Sequence, residues 1–317
     1  MTTVPPTRVM IPLTGAQHEI SADDYQAVIT GLGAGLRELH HQGRPVITGY
    51  QPDEMPPAGA GQLLTPWPNR IDGGRYSVAG TAYQLDLSEP KLGTAIHGLT
   101  RWRSWAAIRS EPGEVALRDV LLGCSGYPFC LEIEADYRVS EQGLRVSISA
   151  RNVGSRPAPY GTGSHPYLTA GTALVDGCEL TLPAGRWLPV DGRGIPARPP
   201  EDVTGTSFDF RARRALGQTR LDHAFTELER DAQGLAWARL TAGETEVALW
   251  AGPGYHWLQV FTGDTLDESS RRRALAVEPM TCPPNAFASG VDLIMLEPGD
   301  AVTHTWGIQV TRRPAAG

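Results

Sequence analysis

Leu131-Glu132-Ile133-Glu134-Ala135-Asp136-Tyr137-Arg138-Val139-Ser140 alternates apolar and polar residues without a break, which is the pattern of a strand with one wet face. After Glu141-Gln142-Gly143 the alternation resumes in Leu144-Arg145-Val146-Ser147-Ile148-Ser149-Ala150-Arg151. Two such runs joined by a short turn predict an antiparallel hairpin. The same period marks Glu246 to Trp250, and also Val302 to Val310, where Val302, His304, Trp306, Ile308 and Val310 share one face. Asp72-Gly73-Gly74 and Pro112-Gly113 punctuate shorter apolar runs. Asp24 to His41 has a helical composition, but Gly31, Gly33 and Gly35 would each cost about 1 kcal/mol inside a helix. It reads as strand, loop, strand. No segment keeps a 3.6-residue period for three turns, so the expected fold class is all-β, a large antiparallel β-sandwich.

Composition agrees. Gly 36 and Pro 26 make up about a fifth of the 317 residues, against roughly 12% in an average protein, which favours turns over long helices. No linker or 20- to 50-residue repeat divides the chain, so residues 1–317 are read as a single domain with a frayed tail from Arg312 to Gly317. A net charge of −7 is the wrong sign for a protein that lives on phosphate backbones, so no nucleic-acid partner is expected. The start lacks a basic region followed by an apolar core, and no apolar run approaches a membrane span. No membrane association and a cytoplasmic location are therefore expected. Cys124, Cys130, Cys178 and Cys282 form no CxxC pair and read as free buried thiols.

Several motifs are missing. Gly31, Gly33 and Gly35 are followed by Leu36 where a dinucleotide fingerprint needs its third glycine, and there is no P-loop, H-E-x-x-H or G-x-S-x-G. Lys91 is the only lysine, hence the only candidate for Schiff-base chemistry. His40-His41 has no carboxylate or cysteine at ligand spacing, and Arg271-Arg272-Arg273 beside Asp267 and Glu268 reads as a solvated loop.

Four places combine polar side chains with local constraint. Asn69-Arg70 follows Pro66-Trp67-Pro68, and His97-Gly98 closes an extended run with a glycine that permits close backbone approach. His165 and Glu278 each precede a proline, which pushes them to extended geometry. Taken singly, each also has an ordinary structural reading, and no local spacing proves that they converge.

Their wider contexts resemble the aldose 1-epimerases, or galactose mutarotases, from about Tyr25 to Val310. The resemblance rests on Pro68-Asn69-Arg70-Ile71 with Gly74-Arg75-Tyr76, on His97-Gly98, and on Gly163-Ser164-His165-Pro166-Tyr167. It continues through Leu221-Asp222-His223-Ala224-Phe225, Leu258-Gln259-Val260-Phe261-Thr262-Gly263, and Val277-Glu278-Pro279 with Asn285-Ala286-Phe287. Leu87-Ser88-Glu89-Pro90 departs from the asparagine that many members carry before His-Gly. The family fold is a supersandwich of antiparallel strands.

The resemblance implies interconversion of the α and β anomers of a free aldohexose such as glucose or galactose. That reaction opens a hemiacetal and recloses it, so one group takes the C1 hydroxyl proton while another protonates the ring oxygen. By resemblance Glu278 is the base and His165 the acid, with Arg70 and His97 near the ring oxygen. Asn69, Tyr167, Asp222 and Gln259 match sugar-contacting positions. No step uses redox, a phosphate donor or a Lewis acid, so no cofactor and no metal are expected. The expected partner is a small-molecule aldose, bound by a monomer or homodimer. Two alternatives stay open. A hexose-6-phosphate 1-epimerase would draw its cationic pocket from Arg101, Arg103 and Arg271 to Arg273, and a non-catalytic sugar-binding module would share the fold. A sulfonated or uncommon sugar is a further possibility within the family. Glycoside hydrolysis needs two flanking carboxylates, which a histidine in the acid position argues against.

Overall fold

The computed structural model describes residues 10–312. Arg312, expected to fray, instead ends the strand Ala301–Arg312 opposite Thr245, and the rest of the expected frayed tail, residues 313–317, lies outside the described residues. The hairpin that decides the fold forms as Leu131–Ser140 against Gly143–Asn152, with Ala135 opposite Ile148 and Tyr137 opposite Val146. Its apolar positions are buried on one face and its charged positions ring the other. Asp24 to His41 is strand, loop, strand as expected, with Tyr25–Thr30 pairing Leu36–His41. Thr245–Ala251 and Ala301–Arg312 are neighbouring strands, and Pro112-Gly113 turns Ala106–Glu111 into Glu114–Leu121.

Two large antiparallel sheets dominate. The first has nine strands, and its run Ala236–Ala242, Thr245–Ala251, Ala301–Arg312, Gly143–Asn152, Leu131–Ser140, Glu114–Leu121 is continuous in space. The second has six, in the order Tyr167–Leu168, Leu275–Met280, Trp257–Phe261, Asp222–Leu228, Ala184–Trp187, Glu201–Asp202. One apolar core draws Leu131, Ile133, Val146 and Ile148 from the first sheet and Phe225, Leu258, Val260 and Val277 from the second. The sandwich expectation holds. Among the described residues the one α-helix is the single turn Ala286–Ser289.

Period two then assigns the other face of the six-stranded sheet. Leu258 and Val260 enter the core, so Gln259 points away from it; Val277 enters, so Glu278 points away. Gln259 lies directly opposite Glu278, and Asp222 opposite Phe261, so all four project to one face.

Two expectations need correction. Arg272 is not a solvated loop residue: it is buried, with Nε 2.6 Å from Asp176 and Nη1 3.0 Å from Asp264. Burying a guanidinium is tolerated when carboxylates neutralise it, and two do so here. The four cysteines are free, but only Cys178 and Cys282 are buried, while Cys124 is exposed.

Candidate active site

The outward face of the six-stranded sheet forms the floor of a cavity of about 420 Å³. His165, Tyr167, Asp222, Gln259 and Glu278 line it from this sheet and its edge, and Asn69, Arg70 and His97 line it from the short pair Arg70–Asp72 and Thr94–Ile96. All eight residues singled out from the sequence therefore meet in one place. The volume lies in the ordinary range of small-molecule sites, ~300–1,000 Å³.

Glu278 and His165 are both buried, with Oε1 3.3 Å from Nε2. Burial disfavours either charge: it pushes the Glu278 carboxyl well up, helped by the field of Asp222 and opposed by Arg70, and brings His165 down to about 4. The loop 56–62 and Tyr167 set the imidazole. His165 N–H donates to the Gln62 carbonyl and the Gly61 N–H to the His165 carbonyl, while the Tyr167 ring stacks on the imidazole at 4.9 Å. Gly59 touches the same ring, and a Cβ there would come within 3.1 Å of Cδ2. Tyr167 thus meets the cavity with its ring, its hydroxyl donating to the Ala58 carbonyl at 3.1 Å.

His97 is buried and has φ of 61°. Its Nδ1 accepts the Asn69 backbone N–H at 3.2 Å, which leaves Nε2 to carry the proton of the neutral ring. Burial, with the field of His165 whenever that ring is protonated and the positive fields of Arg101 and Arg70, drives its pKa well down, so the ring is a neutral donor at pH 7. Gly98 makes this turn possible: φ is 70°, and a Cβ would lie 2.1 Å from the Thr65 carbonyl oxygen.

Arg70 carries a partner that the sequence reading did not assign. Its Nε donates to Glu89 Oε2 at 2.7 Å and its Nη2 to Oε1 at 3.1 Å, a two-pronged pair. Burial alone would lower the guanidinium pKa, and Glu89 outweighs it. Glu89 precedes Pro90, so the rule that singled out Glu278 before Pro279 also pointed here. Ser88, Arg101 and Trp102 are further cavity residues not assigned a sugar-contacting role from sequence. Of the arginines weighed for a phosphate pocket, only Arg101 lines the cavity; Arg103 pairs with Asp119, and Arg272 with Asp176 and Asp264.

Asp222 stands exposed at the rim, where its Oδ1 accepts Gln259 Nε2 at 2.8 Å. Crowding by the walls raises its carboxyl pKa, while Arg70 and the Gln259 amide pull it back in part. Buried polar atoms rarely lack partners, yet Gln259 Oε1, Glu278 Oε2 and His165 Nδ1 have none among the described residues. The three line one cavity, an arrangement suited to hydroxyl groups. Among the described residues no group of three or more His, Cys, Asp or Glu is placed to hold a metal ion, and no helix is long and apolar enough to cross a membrane.

The sequence matches the aldose 1-epimerase family over residues 17–309. It is similar to the uncharacterized protein YihR of Escherichia coli (strain K12), 38% identical over 287 residues that cover 90% of each chain. It is 27% identical to galactose mutarotase of Homo sapiens over 262 residues, 75% of this chain and 74% of that one. Among solved structures, galactose 1-epimerase from Lactobacillus acidophilus NCFM superposes with a TM-score of 0.79 at 19% identity, covering 92% of both chains. The GalM/aldose epimerase homologue from C. elegans gives 0.83 at 19% identity, over 94% of this chain and 99% of that one.

Proposed function

The chain belongs to the aldose 1-epimerase family, and on that premise we propose that it interconverts the α and β anomers of an aldohexose by acid/base ring opening and closure. The observation that carries this reading is the buried contact of 3.3 Å between His165 Nε2 and Glu278 Oε1 on the cavity floor. O1 and O5 of a pyranose are bonded to the same carbon, so the group that serves one must stand beside the group that serves the other.

The proton balance is simple. Both shifts favour uncharged forms, a protonated Glu278 and a neutral His165. The working form, carboxylate and imidazolium, holds the same single proton and differs only in where it resides. Glu278 as carboxylate takes the C1 hydroxyl proton while the His165 imidazolium protonates O5; the ring opens to the aldehyde. Rotation about C1–C2 presents the other face, and the two groups exchange roles on closure. Each well-placed group contributes about 10²- to 10⁴-fold. His97 as a neutral donor and Arg70, held by Glu89, favour charge moving onto O5. Asp222 and Gln259 serve hydroxyls away from the breaking bond, and Asn69 offers its Nδ2, since its Oδ1 accepts the Arg70 backbone N–H.

Polarimetry of freshly dissolved α-glucose and α-galactose tests this. Catalytic amounts of protein should speed the approach to anomeric equilibrium well beyond the buffer rate. No acceleration with any aldose would leave only sugar binding.

A further inference from the structure

The two cations of the cavity are unequal. Arg70 is paired with Glu89 and also lies in the fields of Asp222 and Glu278. Arg101 makes no ion pair among the described residues; its one hydrogen bond is from Nη1 to Gln62 Oε1 at 3.5 Å, long for such a bond. Of the cavity carboxylates only Glu89 reaches it electrostatically, and Glu89 is already engaged by Arg70. Gln62 is buried, and its Nε2 has no partner among the described residues. The remaining guanidinium N–H groups of Arg101 meet no protein acceptor among the described residues, and the side chain lines the open cavity, so they are available to a ligand there.

The backbone that carries this guanidinium is held in place. Leu99 and Thr100 N–H both donate to the Thr65 carbonyl, Arg103 N–H to the Thr100 carbonyl, and Gly33 N–H to the Arg103 carbonyl. Gly33, φ 66°, lies against the Arg101 backbone so closely that a Cβ would come within 2.5 Å of its carbonyl oxygen. The glycine run that failed as a dinucleotide fingerprint thus seats the Arg101 turn. Trp102, exposed at the cavity wall, has its ring 5.1 Å from the Arg101 guanidinium.

The geometry points to Arg101 as the receptor for an anionic substituent carried by the aldose, so that the substrate is an acidic sugar rather than a neutral hexose. This rests on the mutarotase reading and narrows it. A planar guanidinium with several free N–H groups suits any small oxyanion, whether carboxylate, phosphate or sulfonate. The carboxylates gather at the Arg70 end, so an anion at the Arg101 end meets no like charge in contact.

The test compares mutarotation of glucose, glucuronate, glucose 6-phosphate and 6-deoxy-6-sulfoglucose by the wild type, Arg101→Gln and Arg101→Lys. For one acidic sugar, wild-type kcat/KM should exceed that for glucose at least tenfold. The acidic-to-neutral ratio should fall at least tenfold in Arg101→Gln and be partly kept in Arg101→Lys. The acidic sugar that wins identifies the anion. If glucose is turned over best, or the ratio moves less than threefold in a folded Arg101→Gln protein, the inference falls while the mutarotase reading stands. If no sugar is turned over, that reading fails. Titration of tryptophan fluorescence with the same four sugars still decides the inference, because binding of an acidic sugar at least tenfold tighter than glucose, lost in Arg101→Gln, supports it, and equal affinities overturn it.

Discussion

Gln259 and Glu278 are direct cross-strand partners whose side chains leave the sheet on its cavity face, each with one oxygen that has no partner among the described residues. Two adjacent strands therefore present a fixed pair of acceptors, and the Asp222 contact anchors the amide of one of them. Placing such groups on ladder strands rather than loops holds them to the geometry of the sheet.

Removing either proton carrier should stop chemistry while leaving the fold. His165→Ala and Glu278→Gln are each expected to lower kcat at least ~10²-fold, with circular dichroism unchanged. A folded variant that mutarotates within threefold of wild type would show that its residue carries no proton.

The pH dependence follows from the same pair. On the proposed mechanism, activity needs one proton shared by Glu278 and His165. Acid adds a second proton as pH falls through the depressed His165 value of about 4, and alkali removes the shared one above the raised Glu278 value. After subtraction of the buffer rate, kcat/KM should be flat between these limits, with its acid limb well below the ordinary histidine value near 6.5. An acid limb centred at 6.5 would mean that His165 is not desolvated in the free enzyme.

Stability carries the opposite sign from activity at Glu278. Its folded pKa lies above the unfolded one, so native protein holds a proton that the unfolded chain releases once pH exceeds the ordinary carboxylate value of 4.5. Its burial thus costs stability that grows with pH up to the folded value. Glu278→Gln escapes that cost. Its thermal midpoint should exceed wild type at pH 8, with a gap that narrows toward pH 5, as measured by calorimetry. A gap that widens toward acid would reverse the assigned direction.

Much of the nine-stranded sheet was legible because one face of its hairpins is wet, so period two is written in polar letters. The six-stranded sheet hides the same period. Leu275–Met280 is buried along its whole length, so Glu278 appears in an apolar run whose two faces look alike. His97, His165, Asp222 and Glu278 were joined by resemblance, since contacts across a sheet leave no trace in local spacing. Glu89 was visible as a residue before proline, but its role depends on Arg70, 19 positions away. Arg272 was misread because one of its neutralising carboxylates, Asp176, lies 96 residues off.

Replacing Asp222 tests whether recognition is separable from chemistry. Asp222→Asn keeps an oxygen for Gln259 Nε2 to meet, so the local brace survives and only the charge is lost. If the carboxylate accepts a sugar hydroxyl, losing the charge-assisted bond should cost about 1.5–3 kcal/mol, roughly tenfold to a hundredfold in kcat/KM, chiefly through KM. Hydroxyl geometry differs between epimers, so the glucose-to-galactose ratio should shift as well. Glu278→Gln should instead lower kcat for every sugar alike, because the anomeric hydroxyl is common to all of them. Kinetics with both sugars, alongside thermal midpoints, distinguish the cases. An Asp222→Asn protein with wild-type KM and an unchanged sugar ratio would assign this carboxylate to bracing Gln259 alone, and Gln259 Oε1 would then be the remaining acceptor for the sugar at that rim.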